Sequence, residues 1–308
     1  MKASRLHVHG SVDSLRYEDA PDPHPASGEV MIRVHAAGVT PSELRWAPTA
    51  VTPSGSPRPL PLILGHEFSG EVAALGADAS GFRVGDPVYG LNDWFGDGAC
   101  AEYCRARVSD IARKPAALDH VQASVVPISA LTAWQGLFAR ARLAAGQRVL
   151  IHGGAGAVGV FAVQLAHWRG AHVIATVSRH NADFVRGLGA DEAIDYRAVR
   201  FEDAVGEVDV VFDAVGGETL ARSWAVLTRG GTLVTIAASS ESQRDQRTRD
   251  AFFIVEAKPA QLDDLTGLMN AGQLGPVVDG VFPLSRARDA YEYRPRRGKA
   301  AIAVVEES

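Results

Sequence analysis

Gly154, Gly156 and Gly159 stand in "VLIHGGAGAVGVFAVQLA" at the spacing G-x-G-x-x-G, directly after an apolar run and directly before a helical pattern. Glycine suits such a place because the turn is tight, the backbone must approach its ligand closely, and the free N–H groups of the helix start attract a pyrophosphate. Strand, turn, helix and second strand follow in that order, so the turn, with Ala157 and Val158 inside it, reads as a dinucleotide seat. The second strand ends "VIATVSRHN", with Ser178 and Arg179 where an acidic residue would accept a ribose hydroxyl. A hydroxyl and a guanidinium suit a phosphate on that ribose, so the expected cofactor is NADP(H).

A second chemical feature is His66 followed by Glu67 in "PLILGHEFSGEV", which looks like the start of a catalytic zinc site. Tetrahedral zinc needs three good protein ligands besides water. Cys100 and Cys104 do not supply a second metal centre, because no further pair of ligands follows them. They lie four apart in an extended segment, about 13 Å, which is too far for a disulfide. No serine nucleophile elbow and no paired-carboxylate motif occurs, so hydrolysis has no support.

The elements that must position these residues fall into two groups. Up to about residue 100, short alternating runs such as "EVMIRVHAAGV", "GEVAALG" and "DPVYG" are separated by glycine and proline, as in a β-rich domain. The stretch "WAPTAVTPSGSPRPLP" is expected to be a loop near the site. From about residue 118, "RVLIHGG", "AHVIATVS", "VDVVFDAVGG" and "GTLVTIAA" are continuous apolar runs, as parallel strands covered on both faces require. Val158, Phe161, Ala162, Leu165 and Ala166 share one helical face between the first two. The tail "GKAAIAVVEE" reads as a closing strand able to return to the first domain. The fold class is α/β, a Rossmann doubly wound parallel sheet beside a β-rich domain.

With 308 residues, 46% hydrophobic and 22% charged, the chain has material for two globular domains. A net charge of −5 gives no footprint for nucleic acid or an anionic membrane, and "RPRRGK" at 294–299 is too isolated to change that. No apolar run is long enough to span a membrane, and the first residues carry no signal sequence, which leads to the cytoplasm as the expected compartment.

In chain order, "AAGVTPSEL", "GHEFSGEV", "GFRVGDPVYG", "ALTAWQGL", "GGAGAVGVFAVQLA", "LGADEAIDY", "VFDAVGG", "GGTLVTIA" and "GKAAIAV" resemble the medium-chain dehydrogenase/reductase superfamily, and more closely its zinc-free quinone oxidoreductase and enoyl reductase branch. The resemblance implies a GroES-like catalytic domain from residues 1–122 and 273–308, a Rossmann NADP-binding domain from 123–272, and a homodimer or homotetramer joined through the Rossmann sheet edge. It also implies that Ser178, Arg179 and Tyr196 hold the 2′-phosphate, that Thr132, Val215, Ala237, Phe253 and Val255 line the nicotinamide side, and that Lys299 reaches the cofactor's phosphates. The family's catalytic zinc positions fall here on Thr40, His66 and Ile128, so no metal is expected. Thr40, Ser42 and His66 become the candidate catalytic groups, His66 reading either as a retained structural histidine packed beneath the cleft or as a polar group that touches substrate, and Trp46, Trp94 and Phe95 the candidate substrate walls. Between "AYEY" and "GK" the tail holds only "RPRR", shorter than the family's usual form. The expected activity is hydride transfer from NADPH to an activated C=C of an enone, enoyl or quinone substrate. A ketoreductase or alcohol dehydrogenase of the same superfamily, or a NADPH-binding protein with little turnover, are the alternatives.

Overall fold

A computed structural model describes residues 1–237 and 245–305. The polar loop at 239–250 therefore lies partly outside the described residues. The first 113 residues contribute strands β1 (Lys2–Leu6), β2 (Leu15–Asp19), β3 (Glu29–Gly38), β4 (Leu62–Ile63), β5 (Glu67–Leu75), β6 (Pro87–Leu91), β7 (Tyr103–Arg107) and β8 (Ile111–Arg113). Of these, β3 alternates buried and accessible residues along its first half, as an antiparallel strand with one face on the core must. The proline-rich segment is not all loop: Ala47–Ala50 make one turn of helix (α1), tolerated because Pro48 sits in the first turn, where no N–H is needed.

Two helices, α2 (His120–Ser124) and α3 (Pro127–Trp134), lead into strands β9 (Arg148–His152), β10 (His172–Val177), β11 (Glu192–Asp195), β12 (Val208–Asp213) and β13 (Leu227–Thr235). Asp119 caps α2 reciprocally with Gln122. The five strands pair in parallel in the order β11-β10-β9-β12-β13, the doubly wound arrangement. After its first residue every position of β9 and β10 is buried, which explains why those runs read as continuously apolar. Helix α4 (Gly159–Trp168) buries Phe161, Ala162, Leu165 and Ala166 against the sheet, while Val158 is the residue before its first turn.

The chain then returns. Strands β14 (Val278–Pro283) and β15 (Lys299–Ala303) extend the first sheet, and β15 runs antiparallel to β3 with Ile302 opposite Ala37. One apolar cluster crosses between the two halves, joining Tyr89, Leu91 and Ala112 to the residues around β9 and α4. The Tyr89 hydroxyl crosses too, donating to the Leu262 carbonyl at 2.8 Å.

Candidate active site

The phosphate-binding turn opens with a residue outside the glycine spacing. Gly153 has φ +78, a backbone state that side chains resist, and it starts the turn directly after β9. At Gly159 an added Cβ would lie 2.1 Å from the Gly153 carbonyl oxygen, so the helix can start this close to the strand only without a side chain there. Gly156, Ala157, Val158 and Gly159 line a cavity of about 770 Å³, and Ser178, Tyr196 and Val215 line it farther out. Gly154 packs behind the turn, where its Cβ would meet that of Ala175. Arg179 is exposed beside Ser178, while Arg197, Arg200 and Arg296 are on the cavity wall itself. The short tail is accounted for here. The Gly298 amide donates to the Ala155 carbonyl at 2.8 Å, and the Arg297 guanidinium donates to Asn181 Oδ1 at 2.9 Å while lying over the Phe184 ring.

Two buried polar groups hold the cavity's inner wall. Ser223 Oγ gives its hydrogen to the Thr219 carbonyl, so it accepts from His152 Nε2, and Nδ1 of that ring is left to accept from Thr176. Burial drives His152 down to about 4, which keeps the ring neutral and structural. Asp213, fully buried, accepts from the amides of Val215 and Gly216 and from the Thr235 hydroxyl at 2.7 Å. The Ala237 amide in turn donates to that hydroxyl's oxygen at 3.2 Å. Phe253 and Val255 are buried in the core, in a segment pinned to the helix after α3 by Gln135, which donates to the Glu256 carbonyl and accepts its amide. Thr132 spends its hydroxyl hydrogen on the Ile128 carbonyl, 2.5 Å away.

Lys299 does not reach toward phosphates. Its ammonium is buried and paired with Glu67 Oε1, because β15 closes against β3 one strand from β5, and the ion pair offsets the cost of burying that charge. The other Glu67 oxygen accepts the Ile128 amide at 2.9 Å. Gly38 makes the room, since a Cβ there would lie 2.4 Å from Glu67 Oε1. Burial pushes the Glu67 carboxyl up from its ordinary value, with the Lys299 charge pulling the other way.

His66 is held by a group that sequence reading missed. The short helical turn Pro41–Arg45 buries Glu43 and leaves Ser42 exposed. Glu43 accepts from His66 Nδ1, from the Gly65 amide at 2.8 Å and from the Tyr291 hydroxyl at 3.0 Å. Burial pushes the Tyr291 phenol well above its ordinary value, so it remains a donor. The opposite ring nitrogen, His66 Nε2, is buried with no protein partner, as is Thr40 Oγ1. Trp94 lies 5.6 Å and Trp46 6.5 Å from the His66 ring, the two indoles meeting edge to face at 5.3 Å. Phe95 points outward.

This donor set does not fit a catalytic zinc ion. Of the three positions, His66 offers a nitrogen, Thr40 a hydroxyl, and Ile128 only an apolar chain whose amide is committed to Glu67. What His66 Nε2 and Thr40 Oγ1 can do is hydrogen-bond an oxygen, with two indoles flanking the His66 ring.

The family model described as alcohol dehydrogenase GroES-like domain matches residues 26–116, and that described as zinc-binding dehydrogenase matches residues 188–300. A probable zinc-binding oxidoreductase, mitochondrial, of Arthroderma benhamiae is 32% identical, over 95% of this chain and 93% of its own. A NADPH-dependent alkenal/one oxidoreductase, chloroplastic, of Arabidopsis thaliana is 34% identical over 95% of this chain and 76% of its own. The structure of the quinone oxidoreductase from Coxiella burnetii superposes with a TM-score of 0.89 at 32% identity, covering 99% of both chains.

Proposed function

The chain belongs to the medium-chain dehydrogenase/reductase superfamily and is a nicotinamide-dependent oxidoreductase, and from that premise we propose that it reduces the activated C=C of an enone, enoyl or quinone substrate with NADPH and without zinc. The observation that carries the reading is the unpartnered, buried His66 Nε2 on a ring flanked by two indoles, with Thr40 Oγ1 likewise unpartnered and the family's other zinc ligands replaced by Thr40 and Ile128. Bound in the cavity, NADPH supplies a hydride to the carbon β to the carbonyl. Charge then develops on the carbonyl oxygen, and hydrogen-bond donors suffice to hold it. Thr40 donates its hydroxyl hydrogen to that oxygen. The His66 ring, fixed through Nδ1 by Glu43, donates from Nε2 when protonated and afterwards takes a proton back from solvent. Trp46 and Trp94 give a flat apolar face for a conjugated chain or ring. Ser178 and Tyr196 on the cavity wall, with Arg179 exposed next to Ser178, support NADPH over NADH, and Arg197, Arg200 and Arg296 add positive charge to that wall.

We propose the cytoplasm as the compartment; no helix among the described residues is long and apolar enough to cross a membrane. We read the assembly as a homodimer or homotetramer joined at β13, an outer strand of its sheet. Chelator-treated protein assayed for NADPH oxidation against a panel of enones, quinones and simple ketones tests the reaction. Turnover of the first two classes without added metal is expected. Dependence on zinc, preference for simple ketones, or NADPH binding with no turnover refutes it.

A further inference from the structure

Away from the cleft, three ligating side chains meet. His35 on β3, Glu71 on β5 and His120 at the start of α2 bring one ligand atom each to within 4.8 Å of one another. The two imidazoles stack with centroids 4.1 Å apart, and His35 Nε2 lies 3.7 Å from Glu71 Oε2. None of the three lines the dinucleotide cavity. Glu71 is also four residues along the strand from Glu67, about 13 Å.

The backbone explains the meeting. Val34 pairs with Gly70 and Ala36 with Ser69, so His35 is the extra residue of a β-bulge, a device that re-aims a side chain. Ser69 and Glu71, two apart, share a face of β5. Ser69 Oγ gives its single hydrogen to the Val88 carbonyl at 3.1 Å and must therefore accept from His120 Nδ1, 2.8 Å away. His120 thus carries Nδ1–H and keeps its lone pair on Nε2, the way a ligating imidazole is set by the group behind it. Burial, and then the neighbouring His35, hold His120 down to about 4, so the ring is neutral. Side-chain exposures of 20% for His35 and 39% for Glu71 put the cluster near the surface, with His35 Nε2 itself buried.

We infer that His35, Glu71 and His120 bind one divalent transition metal of the zinc class, through two imidazole nitrogens and a carboxylate oxygen, with a fourth position for water. Ligand type favours zinc, cobalt or nickel over magnesium or calcium. Bonds of about 2.0–2.2 Å in a tetrahedron set ligand atoms about 3.4 Å apart, so loading draws the three inward by side-chain rotation. The ion ties β3 and β5 to the helix that leads toward the dinucleotide-binding sheet, a structural role separate from hydride transfer.

The test is calorimetric titration of the full chain, stripped with chelator, with Zn²⁺ and with Co²⁺, whose visible bands report low coordination. One ion per chain is expected, lost in His120→Ala and Glu71→Gln, weakened about 10- to 100-fold in Ser69→Ala, and retained in His66→Asn. Should His120→Ala lose its circular dichroism, His35→Gln carries the same test. Absence of saturable uptake at micromolar metal, uptake indifferent to the ligand variants, or uptake abolished by His66→Asn overturns the site.

Discussion

Replacing Lys299 by Met removes one partner of a fully enclosed ion pair, since Lys299 is 5% and Glu67 0% exposed. The carboxylate keeps the Ile128 amide as its one remaining donor. A charge-assisted hydrogen bond is worth about 1.5–3 kcal/mol, and the desolvated charge left behind brings the expected loss to about 3–5 kcal/mol. The sign with pH follows from Glu67. Its carboxyl already lies above its ordinary value, and Lys299 supplies the first two influences holding it down, so the variant's value rises further. A folded value above the unfolded one means stability is fully present below the unfolded value and is lost as pH rises through the folded one. Urea unfolding of Lys299→Met should therefore show a small deficit at about pH 5 and a large one at about pH 8. Glu67→Gln/Lys299→Met, which cannot titrate there, should lose only about 1–3 kcal/mol, and equally at both pH values. A deficit under about 1 kcal/mol at high pH, or the same pH dependence in the double variant, refutes the reasoning.

Arg179→Ala should weaken NADPH about 10- to 150-fold, the equivalent of about 1.5–3 kcal/mol, and leave NADH nearly unchanged; equal weakening of both removes the argument for the 2′-phosphate. His66→Asn should lower kcat toward enones by about 100-fold or more while NADPH affinity stays within about twofold, and an unchanged kcat rejects His66 as the donor. Gly159→Ala should abolish cofactor binding because its Cβ would meet a carbonyl oxygen, whereas Gly187→Ala, with open space around it, should bind normally in fluorescence titration. Neither of the two cysteines should react with a thiol reagent until the protein unfolds, since both are buried and burial pushes their thiols up; prompt labelling of the native protein contradicts that.

What was legible in the sequence was local. The glycine turn, the alternation of β3 and the apolar runs of β9, β10 and β12 each declare themselves within ten or so residues, because period and turn chemistry are properties of neighbours. Gly153 escaped because the motif spacing starts one residue later, although a second adjacent glycine was a usable signal. The group that orients His66 was not readable: Glu43 lies 23 residues from His66, and Tyr291 lies 248 residues from Glu43. Lys299 failed for the same reason. Its partner is 232 residues away, so nothing in "GKAAIAV" distinguishes a phosphate contact from a buried pair. The turn of helix at α1 shows the converse error, in which a proline count outweighed proline's tolerance at a first helical turn.

The clasp between Gly298 and Ala155, with Arg297 seated on Asn181 and Phe184, bears on how the chain is made. A ribosome delivers the nucleotide-binding strands well before the last residues, and domains generally fold as they emerge. Here Arg296 lines the seat and Gly298 clasps its turn, long after the turn itself in the chain. The nascent polypeptide consequently completes its nucleotide pocket only once residues 296–298 have emerged, and a chain cut short before residue 296 would release an apo form missing both that contribution and β15.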